Sequence, residues 1–139
     1  MTIAGTWYNE LGSQMDIVVN GATITGYYWT AVGDASGRYE LIGFIDTTMP
    51  SPGGQAVGWT VVWKNGSGTS NSVTTWSGQF QNDGGTEEIV TFWLLTSEQL
   101  SPNDWGATQV GKNTFRRTSP TPEHIAKARR QSNVPHPKS

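Results

Sequence analysis

Ser72, Thr74 and Trp76 share one face of the stretch Asn71-Ser72-Val73-Thr74-Thr75-Trp76-Ser77-Gly78 when it is extended, because side chains alternate in direction along a strand. Two hydroxyls and an indole are a poor filling for a dry core, since each buried hydroxyl needs a partner. They are a good lining for a pocket that holds a small, partly polar molecule. The same parity puts Trp7, Asn9, Leu11 and Ser13 in one register and Tyr28, Thr30 and Val32 in another. It also aligns Trp59, Val61 and Trp63, and Trp93 with Leu95. Any one of these tryptophans alone reads as core. A purely structural barrel, however, fills with Val, Ile and Leu. Indole repeatedly paired with hydroxyl or amide points to binding.

Reaction chemistry is thin by comparison. There is no cysteine, and both histidines, His124 and His136, lie in the last 21 residues (119–139). That removes Ser–His and metal-site arrangements from the rest of the chain. Glu87-Glu88 follow a Gly-Gly turn, and Glu98 and Asp104 sit in a loop-like stretch, so they read as solvated charges rather than a glycosidase pair. GxGxxG and Walker patterns are absent. The expectation is a binding protein that is not an enzyme and uses no metal or cofactor.

The elements that position these residues follow from composition and turn signals. The 139 residues suffice for one domain with a core, and a net charge of −2 suggests neither a nucleic acid nor a membrane as partner. No apolar run approaches the ~18 residues of a membrane span. Met1-Thr2-Ile3-Ala4 leads straight into the first strand pattern without a signal-peptide signature. Absence of cysteine excludes a disulfide scaffold and leaves the compartment open. Asn20-Gly21 predicts a type I′ hairpin, and Ser36-Gly37, Asn65-Gly66 and Asp83-Gly84-Gly85 punctuate the chain similarly. Strands are expected near 5–10, 14–20, 22–30, 37–46, 55–65, 70–82, 87–97 and 107–118. Eight sequential antiparallel strands give an all-β up-and-down barrel over 1–118, with a β-sandwich as the alternative. Residues 119–139 break the pattern. There Pro120, Pro122, Pro135 and Pro137 bracket a basic segment that can form a short helix with Thr121 as N-cap, and the expectation is a flexible solvated tail.

GTWYNELGS, TGYYWTAVG, GRYELIG, GWTVVWKN, TTWSGQF, WLLTS and a closing W-x-x-x-x-V-G-x-x-x-F from Trp105 to Phe115 occur in this order. Together they resemble the avidin–streptavidin family of biotin-binding proteins over residues 5–118, closer to bacterial streptavidin-like members than to the egg-white type. The resemblance implies that Asn9, Ser13 and Tyr28 donate to the ureido oxygen of biotin, and that Thr30 and Asn113 accept from its two N–H groups. Thr74 would meet the thioether sulfur. Ser72 and the backbone amide of Asp34 would receive the carboxylate, with Ser70 at the rim. Trp63, Trp76, Trp93, Leu11, Val32 and Leu95 would form the apolar walls, and Trp105 a lid lent to a neighbouring subunit. A homotetramer follows, with a dimer as the lesser alternative, in a secreted or periplasmic protein whose signal peptide is absent from this sequence. The implied role is sequestration of the vitamin.

Three positions depart from the streptavidin-like pattern. Asn113 stands where those members often carry Asp, and a neutral acceptor is weaker than a carboxylate. Asp34 stands where Asn is common, beside the expected ligand carboxylate. Trp29 alternates away from the pocket and is expected either at a subunit interface, the favoured reading, or exposed. A lipocalin-like carrier of another small ligand is the alternative function; its roomier aliphatic interior does not account for Ser72, Thr74 and Asn113. A carbohydrate-binding module would instead carry its indoles on an outer face.

Overall fold

The computed structural model describes residues 2–31, 37–48, 54–64 and 71–131. Eight strands follow one another: β1 Gly5–Asn9, β2 Gln14–Asn20, β3 Thr23–Trp29, β4 Arg38–Ile45, β5 Gln55–Trp63, β6 Ser72–Asp83, β7 Thr86–Ser97 and β8 Thr108–Arg116. Each pairs antiparallel with the next, and β1 pairs with β8, so the sheet is a closed all-antiparallel barrel. Closure removes the free edges that an open sheet would leave. The expected sandwich alternative is thereby excluded. The ladders are uneven: β6 and β7 share twelve residue pairs from Ser72↔Ser97 to Asp83↔Thr86, whereas β1 and β8 share only Tyr8↔Arg116 and Asn9↔Phe115.

Burial follows the alternation read from the sequence. β4 is buried at every second residue along its whole length, and β6 keeps the same rhythm from Ser72 to Ser77. The end of the barrel carrying the β2–β3, β4–β5 and β6–β7 connections is filled by Ile17, Ile24, Ile45, Val57, Phe80 and Ile89. Trp7 meets Phe80 edge-on there at 5.8 Å, and the Arg117 guanidinium lies 3.8 Å from the centre of the Trp7 ring.

The turns refine one expectation. The β2–β3 hairpin forms, but Asn20 still pairs with Thr23, so the turn residues are Gly21 and Ala22. Only Gly21 of this pair has positive φ, at 64°, which places glycine first in the turn rather than second. Two consecutive positive φ values occur instead at Gly84 and Gly85, between β6 and β7. Asn65-Gly66 and Ser36 lie outside the described residues.

Beyond β7, Ser101–Gly106 forms a short 3-10 helix, η1, and Pro122–Gln131 forms an α-helix, α1. The helix is the short one that the bracketed basic segment is expected to be able to form, and it buries none of its residues; residues 132–139 lie outside the described residues. The Thr121 hydroxyl accepts from the His124 amide as the expected N-cap. α1 lies against the barrel at the β1–β2 and β3–β4 connections. Ile125 Cδ1 sits 3.0 Å from where a side chain on Gly12 would begin, and Arg129 donates to the Ala31 carbonyl at 3.3 Å.

Candidate ligand-binding site

The polar residues of the interior gather at the end opposite the aliphatic filling. Asn9, Ser13, Ser72, Thr74, Thr91 and Asn113 are all buried, none more than 3% exposed. The tight β1–β2 connection positions the first two. Asn9 Oδ1 accepts from the backbone amides of Leu11 and Ser13, each at 3.0 Å, which fixes the amide and turns its Nδ2 inward. Nδ2 donates to the Tyr28 hydroxyl at 3.3 Å, and the Ser13 side chain hydrogen-bonds the same phenol. Ser13 Oγ also accepts from the Ala31 amide at 3.0 Å. Three strands' worth of sequence therefore converge on one buried donor cluster.

Burial pushes the Tyr28 phenol far above the ordinary tyrosine range; the Ser13 hydrogen bond partly opposes this and the charge of Glu10 reinforces it. Tyr28 is consequently a neutral O–H donor at any physiological pH.

The aromatic walls are held by specific contacts. Tyr28 lies 5.6 Å from Trp63 and 5.0 Å from Trp76, ring centre to ring centre. The Trp63 indole donates to Thr74 Oγ1 at 2.7 Å, leaving the threonine O–H to donate elsewhere. The Trp76 indole donates to Asn113 Oδ1 at 3.0 Å. Trp93 is seated by Gly111: a Cβ there would come within 2.0 Å of its six-membered ring. Leu95 is buried in the same apolar cluster as these rings, and Leu11 is buried as well. Among the described residues, neither the buried Ser72 hydroxyl nor the buried Trp59 indole N–H has a hydrogen-bond partner. An orphaned buried hydroxyl is costly unless something else comes to satisfy it.

Eleven expected site residues thus share the buried interior: Asn9, Leu11, Ser13, Tyr28, Trp63, Ser72, Thr74, Trp76, Trp93, Leu95 and Asn113. Thr30 follows β3 and is half-buried. Val32, Asp34 and Ser70 lie outside the described residues. Trp105 does not join the interior of its own barrel; it sits on η1 and is 88% exposed. Trp29 is half-buried, with its ring 6.3 Å from Tyr27.

Three residues had no place in the sequence reading of the site. Parity puts Trp59 on the inward face without a role, and it stacks on Trp76 at 5.7 Å. Thr91 Oγ1 donates to the Asn113 carbonyl at 2.9 Å, pinning β8 to β7. Glu10 accepts from Asn113 Nδ2 at 2.8 Å with one carboxylate oxygen and from the Thr114 amide at 3.0 Å with the other. Strand parity alone could have flagged Thr91, two residues before Trp93. The surface also carries a groove over β2–β5, lined by Val18, Tyr27, Arg38, Ile42 and Val62, but it includes none of the expected site residues. No cluster of three or more His, Cys, Asp or Glu suited to a metal occurs among the described residues.

A closed eight-stranded barrel with a buried donor cluster and indole walls is the setting in which the family comparison becomes decisive. The Avidin family model matches residues 1–118. The chain belongs to the Avidin family. It is 36% identical over 120 residues to avidin-related protein 4/5 of Gallus gallus, covering 84% of this chain and 77% of that protein. It is 37% identical over 127 residues to avidin of Gallus gallus, with 84% and 78% covered. It is 34% identical over 117 residues to afifavidin of Afifella pfennigii, with 81% and 67% covered. These identities are level between the hen proteins and the bacterial one. Membership of the Avidin family makes the chain a binding protein rather than an enzyme, and takes the place of the lipocalin-like alternative.

Proposed function

We propose that this Avidin-family chain binds biotin non-covalently inside its barrel. The observation that carries the reading is the convergence of Asn9 Nδ2, the Tyr28 hydroxyl and the Ser13 hydroxyl in one fully buried cluster. Donors gathered in one place suit a ureido oxygen, and several hydrogen bonds on one carbonyl favour its charge-separated form. On this reading Asn113 Oδ1 and Thr30 accept from the ring N–H groups. Thr74 meets the sulfur, and the orphaned Ser72 hydroxyl, with the Asp34 amide and Ser70, receives the carboxylate. Trp63, Trp76, Trp93, Leu11, Val32 and Leu95 exclude water, which strengthens each hydrogen bond inside. The donor cluster is held before a ligand arrives, so little ordering entropy opposes binding.

The assembly part of the proposal is a homotetramer in which Trp105 lids a neighbour's pocket. In support, an indole 88% exposed on a single subunit is poorly placed unless something covers it. The apolar outer faces of β5 to β8, with Val62, Val73, Phe92, Leu94 and Val110 turned outward, are of the kind that subunits bury. Secretion and sequestration of the vitamin complete the proposal by family analogy.

The experiment is a biotin titration followed by tryptophan fluorescence, on protein shown free of bound biotin. Quenching that saturates near one biotin per chain is expected, with affinity lost on dilution to monomer. An unquenched, non-binding protein would remove biotin as the ligand.

A further inference from the structure

Asn113 poses a problem for the proposed site, because a neutral amide is a weaker acceptor than a carboxylate and can present either its oxygen or its NH2. Its surroundings answer both points. On one side stands the Trp76 indole, which can only donate, at 3.0 Å from Oδ1. On the other stands the Glu10 carboxylate, which when ionised can only accept, at 2.8 Å from Nδ2. Donor-only and acceptor-only neighbours permit one orientation of the amide. The second oxygen of Glu10 is held by the Thr114 amide at 3.0 Å, so the carboxylate cannot swing away without giving up two hydrogen bonds. Among the described residues, Glu10 takes part in neither of the two ion pairs.

We infer that Glu10 is a positioning residue that orients and polarises Asn113, making its amide oxygen the obligate, strengthened acceptor for a ligand N–H. The inference rests on the biotin-binding reading for the identity of that N–H, a cyclic-urea nitrogen. A negative charge on the Nδ2 side draws that hydrogen and raises electron density at Oδ1, as in any hydrogen-bonded chain. The carboxylate has in effect moved one residue back from the ligand, behind an amide that relays it. Its charge also reaches Tyr28, where it helps keep the phenol protonated on the donor side. One carboxylate thereby favours an acceptor at Asn113 and a donor at Tyr28. Ligands with an acceptor in place of the urea N–H are excluded.

The test uses the full chain and four proteins: wild type, Glu10→Gln, Asn113→Asp, and the double variant. Biotin dissociation is measured beside that of a biotin methylated on the urea nitrogen that faces Asn113. Glu10→Gln is expected to speed biotin release about tenfold, the difference between a charge-assisted and a neutral hydrogen bond. Asn113→Asp sets two carboxylates against each other and is expected to lose more. The double variant recovers wild-type release, because the amide introduced at position 10 can donate to the carboxylate introduced at position 113. The methylated ligand binds weakly to all four and responds little to Glu10.

Equal losses for both ligands in Glu10→Gln, or no recovery in the double variant, would show a merely structural role and overturn the inference. The Trp76 indole N–H resonance in ligand-free protein supplies a readout independent of biotin. It is expected to move upfield in Glu10→Gln as Asn113 Oδ1 becomes a weaker acceptor, and an unmoved resonance overturns the relay. Should wild type not bind biotin at all, the functional reading fails while this resonance still decides the relay.

Discussion

The two ends of the barrel are made from the same eight strands and could hardly differ more. At one end Ile17, Ile24, Ile45, Val57, Phe80 and Ile89 fill the interior with no polar side-chain atom that needs a partner. At the other, Asn9, Ser13, Thr74, Thr91 and Asn113 are tied by side-chain hydrogen bonds to indoles, a phenol and the backbone, and Ser72 is left with none among the described residues. The first arrangement maximises apolar burial, the main favourable term in folding. The second gives up part of that stability for fixed dipoles aimed inward. Separating the two lets one small domain keep a firm base beneath a pre-set polar pocket.

The sharpest way to break this division is Ile24→Ala at the aliphatic end, which should lower unfolding free energy by about 2–5 kcal/mol. Denaturant melts measure that loss. Binding stoichiometry in the folded fraction should not change, and a changed stoichiometry would mean the ends are not independent. Tyr28→Phe should do the reverse, costing about 1–3 kcal/mol of ligand affinity by calorimetric titration with a smaller effect on folding. It also carries a pH signature. Because the folded-state phenol titrates above its unfolded value, its contribution to stability is complete below about pH 10 and declines as pH rises further. Melting temperatures of the wild type should therefore fall more steeply between about pH 10 and 11.5 than those of Tyr28→Phe.

Ser72→Ala sharpens the comparison further, because stability and binding should move in opposite directions. Removing an orphaned hydroxyl should leave the free protein as stable, or up to about 1 kcal/mol more stable, while ligand affinity falls. A loss of both would mean the hydroxyl already has a partner in the free protein. The smallest effect expected is from truncation after Pro120. Loss of α1 uncovers Gly12 and Ala31 beside the pocket end and should raise the ligand association rate a few-fold, with stability changed by less than about 1 kcal/mol. Stopped-flow association rates identical with and without α1 would show that the helix does not screen the site.

The same contrast explains what the sequence disclosed. Alternation in TTWSGQF and GWTVVW is a local signal, and the strands lie within a residue or two of where that signal put them. Inward placement of Asn9, Tyr28, Thr74 and Asn113 followed from parity and from the family resemblance. Glu10 was illegible for a physical reason: a carboxylate next to a tight turn looks solvated, and its partner Asn113 is 103 residues away. Nothing local to either residue announces the other. The shift of the β2–β3 turn to Gly21-Ala22 is of the opposite kind, a competition between two glycine placements one residue apart that pattern reading cannot separate.

The short β1–β8 ladder has a dynamic consequence. With only two residue pairs, this junction is where the cylinder should open first in local fluctuations, and amides of β1 should exchange with solvent sooner than those of β6 or β7. Asn9 stands on one lip of that junction and Asn113 on the other. A ligand gripped by both would act as a clasp, slowing exchange in β1 in proportion to how tightly it is held. Its departure would in turn be paced by the same breathing of the junction, so residence time and local unfolding would share one gate.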